Sequence, residues 1–172
     1  LYESLHGRST RPGTYTALRV NGRLWMSDTD AEWNDHYPAI RQMRATKAKR
    51  ILVNGLGIGM VVQAALDMDH VEHIDVIEIN PDVVSLVGPH YEASGRVTVH
   101  LADAYAKKWQ PGIHWDVAWH DIWPDLCTDN LPEMTRLHRK YGRSTDWQGS
   151  WGRELLQARK RREDRQRHVW GW

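Results

Sequence analysis

Phenylalanine is missing from this chain of 172 residues, and cysteine occurs once, at Cys127. A lone cysteine excludes a disulfide framework or a multi-cysteine zinc site within one chain. No stretch approaches the roughly 18 apolar residues that a membrane-spanning helix needs, and no basic-then-apolar leader opens the sequence. These absences set the expectation of a cytoplasmic protein in a reducing compartment, with no membrane partner. An excess of either charge is also lacking, because 23 Lys and Arg stand against 22 Asp and Glu. What is present is ordinary globular material, 41% hydrophobic and 26% charged, in a length that suits one domain with a sizeable core. Ten tryptophans dominate the aromatic set. An indole can stack on a ring or a base, but most buried tryptophan fills core volume.

Three segments follow from the pattern of residues. Residues 1–36 read as an N-terminal arm and a β-hairpin, because Asn21-Gly22 sits between two strand-like runs in "TYTALRVNGRLWMS" and suits a type I′ turn. Asp28 to Asp35 is acidic and polar, and a helical pattern follows from Tyr37 to Lys49. Residues 37–145 then alternate. Strands are expected at Ile51–Asn54, Ile74–Ile79, Arg96–Leu101 and Trp115–Ile122. Helices are expected at Met60–Met68, at Pro81–Val87 and at about Leu131–Tyr141, with a short helix or loop at Ala102–Trp109. Strand–helix–strand repetition implies an α/β fold, a Rossmann-like parallel sheet flanked by helices. Residues 146–172 read as a Trp-rich, basic terminal helix. No strand is expected after Ile122, so the C-terminal part looks reduced. An uncovered fourth strand is an aggregation hazard. The stripe Trp147, Trp151, Leu155 and Ala158, or a second subunit in a homodimer, is expected to cover it.

The stretch "ILVNGLGIGM" places Gly55, Gly57 and Gly59 between a strand and a helix. Dinucleotide sites use G-x-G-x-x-G, and Met60 stands where the third glycine belongs, which argues against NAD. A ligand can still lie along such a loop, although a tight turn with no ligand has the same glycines. Glu78 ends the next strand, and a carboxylate there can accept both ribose hydroxyls. Asp103 ends the third strand in "LADA", where it can accept an adenine amino group. All three features fall at the carboxyl ends of consecutive parallel strands, where open α/β sheets bind ligands.

With these residues the sequence resembles the class I S-adenosylmethionine-dependent methyltransferases, and within that fold the spermidine-synthase-like branch. The matching stretches are "ILVNGLGIGM", "VIEINPDVV", "RVTVHLADA" and "WDVAWHDI", with the upstream hairpin and "MSDTDAEWNDHY". The resemblance implies that S-adenosylmethionine, or its decarboxylated form, is the cofactor. It places Gly55, Gly57 and Gly59 on the methionine moiety, Glu78 on the ribose, and Asp103 with Ala104 on the adenine. Asn54 joins the cofactor set at a position where many methyltransferases carry an acid. Asp121 ends the fourth strand and is the expected catalytic residue, orienting the nucleophile. Its context "HDIWPD" departs from the D-x-x-D-P-like stretch of aminopropyltransferases and from the D-P-P-Y motif of amino-group methyltransferases. His120 can also act as a base, but strand alternation points His120 and Asp121 to opposite faces.

The resulting expectation is transfer of a methyl or aminopropyl group to a small-molecule acceptor. Asp28, Asp30, Glu32 and Asp35 can supply acids for an amine acceptor, or form a solvated loop. A non-catalytic adenosyl-binding module is the alternative. Nucleic acid is a less favoured partner, reached through the seven Lys and Arg between Arg153 and Arg167. No metal site is expected, because His70 with His73 and His114 with His120 lack the i, i+4 spacing of a zinc helix.

Overall fold

The computed structural model describes residues 10–170. The first nine residues of the expected arm lie outside them. Strands β1 (Ala17–Val20) and β2 (Arg23–Ser27) form an antiparallel hairpin. Asn21 and Gly22 turn it with φ of 50° and 78°, the positive pair that a type I′ turn requires. Helix α1 spans Asp30–Thr46 and begins seven residues before the apolar period does. Its first turn carries Asp30 and Glu32, whose charges suit the positive end of the helix dipole. The acidic stretch is therefore a helix start rather than a loop.

Five parallel strands follow in the spatial order β5-β4-β3-β6-β7. They are β3 (Arg50–Asn54), β4 (His73–Glu78), β5 (Val97–Leu101), β6 (Trp115–His120) and β7 (Thr145–Ser150). The inner strands β3, β4 and β6 are buried almost throughout, as parallel strands covered on both faces must be. Helices α1, α2 (Met60–Leu66) and α3 (Pro81–Glu92) cover one face, over Ile51, Val53, Ile74, Val76 and Val117. On the other face, α4 (Asn130–Tyr141) packs Leu131, Met134, Leu137 and Tyr141 against Leu52, Ile77, Trp115 and Ala118. Each such aliphatic side chain, once buried, contributes about 1.5–3 kcal/mol.

Strand β7 corrects the expectation that no strand follows Ile122. It pairs in register with β6, from Trp115↔Thr145 to His120↔Ser150, and so covers the fourth-strand edge without a second subunit. "TDWQGS" escapes recognition because an edge strand is only half-buried and needs no apolar run. The expected stripe also dissolves. Trp147 belongs to β7, Trp151 lies in the turn before helix α5 (Arg153–Trp170), and Leu155 is 65% exposed. The expected boundary at 145/146 falls inside β7, so the terminal segment starts in the sheet. Residues 102–109 form turns and no helix. No helix among the described residues is long and apolar enough to cross a membrane.

Candidate active site

All five parallel strands deliver residues to one cavity of about 470 Å³. Gly55 and Gly57 follow β3, Glu78 ends β4, Ala102 to Tyr105 follow β5, Asp121 to Pro124 follow β6, and Trp151 follows β7. This is the crevice beyond the carboxyl ends of an open parallel sheet, where the order reverses about β3. The hairpin adds Trp25 and Met26, and α1 adds Glu32, Asp35 and His36. Glu32 ties these two pieces together. Its Oε2 accepts the Ser27 N–H at 2.7 Å and its Oε1 accepts the Ser27 hydroxyl at 2.8 Å.

The glycine loop is shaped by protein packing as much as by any ligand. A Cβ on Gly55, whose φ is 96°, would run into the carbonyl of Asp121. One on Gly57 would meet the Met26 sulfur at 2.5 Å. That sulfur also accepts the Ile58 N–H at 3.4 Å. Gly59 does not line the cavity; it caps the start of α2 with φ of 83° and lies against the Tyr91 ring. The tight-turn reading of these glycines therefore has a structural basis of its own.

Five carboxylates line the cavity, Glu32, Asp35, Glu78, Asp103 and Asp121, and among the described residues no Lys or Arg does. Glu78 holds the loops around it, its Oε2 accepting the Leu56 N–H at 2.9 Å and its Oε1 the Asn80 N–H at 2.8 Å. Each oxygen keeps a second lone pair to accept from a hydroxyl, so a ribose fits this pair of acceptors. Asp103 accepts the Tyr105 N–H at 2.8 Å. Asp121 is pushed up to about 7 by burial, and by the neighbouring charges of Asp35, Glu32 and Glu78. A carboxyl group that titrates near neutrality can take a proton from a bound amine or hydroxyl. His36 Nε2 stands 3.9 Å from Asp121 Oδ2. Burial pushes the His36 imidazole down to about 4, so it is neutral at pH 7. Three cavity-lining residues carry buried polar atoms without a hydrogen-bond partner: His36 Nδ1, Tyr105 Oη and Trp119 Nε1. Polar atoms left this way are uncommon in folded proteins.

Asn54 is not brought to this site. It and His120 are register partners on the α4 face of the sheet, and the Asn54 amide meets His120 Nδ1 at 2.7 Å. His120 Nε2 faces Gln148 Oε1 at 3.1 Å, and burial pushes the ring down to about 3. His120 thus lies outside the cavity that Asp121 enters. Asp28 and Asp30 do not line it either; Asp28 accepts the Thr16 N–H at 2.7 Å. Sequence reasoning missed His36, Trp25, Met26, Trp119 and Trp123. The 32, 35, 36 spacing on one helix face was the signal that could have joined His36 to Glu32 and Asp35. The cations of α5 line no part of the cavity.

No family model matches the chain. Two polyamine aminopropyltransferases of Ralstonia nicotianae are each 33% identical over 100 residues, which covers 51% of this chain. The chain spans less than a fifth of their length, 19% and 18%. Among solved structures, the StiE O-MT superposes with a TM-score of 0.51 at 13% identity, over 67% of this chain and 40% of that one. The methyltransferase domain of bacterial CtHen1-CN gives 0.50 at 12% identity, over 62% and 58%. The CcbJ methyltransferase from Streptomyces caelestis gives 0.50 at 18% identity, over 64% and 45%. At such identities the superpositions speak to the fold. The chain has the class I S-adenosylmethionine-dependent methyltransferase fold, and its sequence similarity to the polyamine aminopropyltransferases fits the spermidine-synthase-like branch of that fold.

Proposed function

We propose that the cavity binds an adenosyl sulfonium and passes a carbon group from it to a small amine. The observation that carries this reading is the wall of five carboxylates, Glu32, Asp35, Glu78, Asp103 and Asp121, with no Lys or Arg among the described lining residues. Such a wall attracts cations, and both a sulfonium and an ammonium are cations. Glu78 is assigned to the ribose hydroxyls, Asp103 and Ala104 to the adenine, and Gly55 and Gly57 to the chain on sulfur. When bound, the sulfonium supplies an electrophilic carbon: the amine nitrogen forms a bond to it, the C–S pair returns to sulfur, and nitrogen releases one proton. Asp121 is assigned to orient that nitrogen and take the proton. The remaining acceleration comes from alignment and exclusion of water.

The same wall supports the decarboxylated sulfonium, and so aminopropyl transfer, over methyl transfer. Among the described lining residues, a free α-carboxylate would find no Lys or Arg side chain. Two N–H groups of the loop are already used, Leu56 by Glu78 and Ile58 by Met26. The test is incubation of the purified chain with each sulfonium and a diamine, followed by assay for the thioether product. Methylthioadenosine formed only with the decarboxylated donor supports the reading. Tight binding of both ligands without product would leave a non-catalytic adenosyl-binding module instead.

A further inference from the structure

We propose that His36 is a second acceptor in the amine site, with the amine nitrogen seated between His36 Nε2 and Asp121 Oδ2. The proposal rests on the amine-acceptor reading above and adds a contact to it. His36 is 2% exposed and lines the cavity from α1, one turn beyond Glu32. Its Nδ1 has no hydrogen-bond partner. Its Nε2 faces Asp121 Oδ2 at 3.9 Å, too far for a direct hydrogen bond. Trp119 stands edge-on at 6.2 Å between ring centroids and gives this nitrogen no acceptor or donor. A neutral imidazole protonated at Nδ1 keeps its lone pair on Nε2, and a ligand that donates there satisfies that acceptor.

The gap has the right size. A nitrogen about 2.9 Å from each of two acceptors fits between atoms that lie 3.9 Å apart. It must donate twice, once to the imidazole lone pair and once to the carboxylate. A primary amine or its ammonium form has the N–H groups to do so, whereas an alcohol has one O–H and satisfies only one side. With Asp121 ionised, the pair therefore selects amines over alcohols, because a buried acceptor left unpaired penalises the poorer ligand. Burial keeps the imidazole neutral, as an acceptor must be, while Glu32, Asp35 and Glu78 favour the positive charge of the ligand.

The test uses n-butylamine as the probe and n-butanol as its control, with methylthioadenosine filling the adenosyl half. Imidazole nitrogen NMR of the whole chain should show the His36 Nε2 resonance moving on titration with n-butylamine and staying fixed with n-butanol. His36→Phe should weaken n-butylamine binding about tenfold or more, and His36→Asn, whose amide oxygen can accept, should recover part of it. Both variants should bind methylthioadenosine as the parent does, which also shows that they fold. An unmoved His36 resonance at saturating amine overturns the proposal. So does n-butylamine binding to His36→Phe at parental affinity while Asp121→Asn loses it, a result that leaves the amine reading standing. If the parent binds methylthioadenosine but no amine, the amine reading and this proposal fall together.

Discussion

The indole Nε1–H of Trp151 donates to Asp35 Oδ2 at 3.1 Å, joining residues 116 positions apart. This contact ties the end of β7 to α1 across the cavity, so the terminal segment is part of the site rather than an appendage. Trp151→Phe keeps most of the buried volume and leaves Asp35 without this donor. It should cost roughly 0.5–1.5 kcal/mol in denaturant unfolding and weaken amine binding more than methylthioadenosine binding. Trp151→Ala should cost more, about 3–5 kcal/mol.

Gly57 and Met26 should behave as a coupled pair. Gly57→Ala drives its methyl into the Met26 sulfur, and Met26→Ala opens that space. The double variant should be more stable than the sum of the single losses implies, by about 0.5–3 kcal/mol. The residual cost is that of a non-glycine residue at φ of 53°. Gly55→Ala should find no such rescue, because its obstacle is the Asp121 backbone. Urea unfolding of the four variants checks both expectations.

The buried histidines set an acid limit on stability. Buried His36 and His120 and half-buried His138 are held to about 4, 3 and 4 by desolvation, below the ordinary 6.5 that they regain on unfolding. Between those values the unfolded chain binds more protons, so stability falls as pH drops from about 6.5 towards 4. His120→Gln should flatten part of that decline in a pH series of thermal melts. Unchanged pH dependence would show that His120 is not held neutral.

Asp121 acts in the opposite direction. Its folded value, about 7, lies above the ordinary 3.8, so the folded chain holds more protons between the two. Stability contributed by this group is greatest at low pH and lost as pH rises towards 7 and beyond. Asp121→Asn should therefore raise stability at pH 8 by roughly 1–4 kcal/mol while abolishing transfer. A destabilised variant at pH 8 would mean that the carboxylate is not strained by its neighbours.

Much of the fold was legible in the sequence, for physical reasons that also explain the gaps. Strands β3, β4 and β6 are covered on both faces and must be written as apolar runs. Asn21-Gly22 and the Pro81 helix start are local chemistry and need no tertiary context. Strand β7 and the first two turns of α1 were hidden because polar residues serve them, one at a half-buried edge and the other at a dipole-favoured helix end. In the site, strand-end position was enough to bring Gly55, Gly57, Glu78, Asp103, Ala104 and Asp121 together. It was not enough for Asn54, whose side chain turns to the α4 face, or for Gly59, which serves Tyr91. The helix spacing of His36 with Glu32 and Asp35 was legible, but Trp119 and Asp121, which meet it in the cavity, lie far along the chain.

The adenosyl cavity itself is tested most directly by calorimetry of methylthioadenosine against the parent chain and Glu78→Ala, with NAD as control. The expected result is binding to the parent, a loss of about tenfold or more in the variant, and no binding of NAD. Absence of methylthioadenosine binding, or equal affinity in the two proteins, would contradict the assignment of Glu78 to a ribose and with it the adenosyl site.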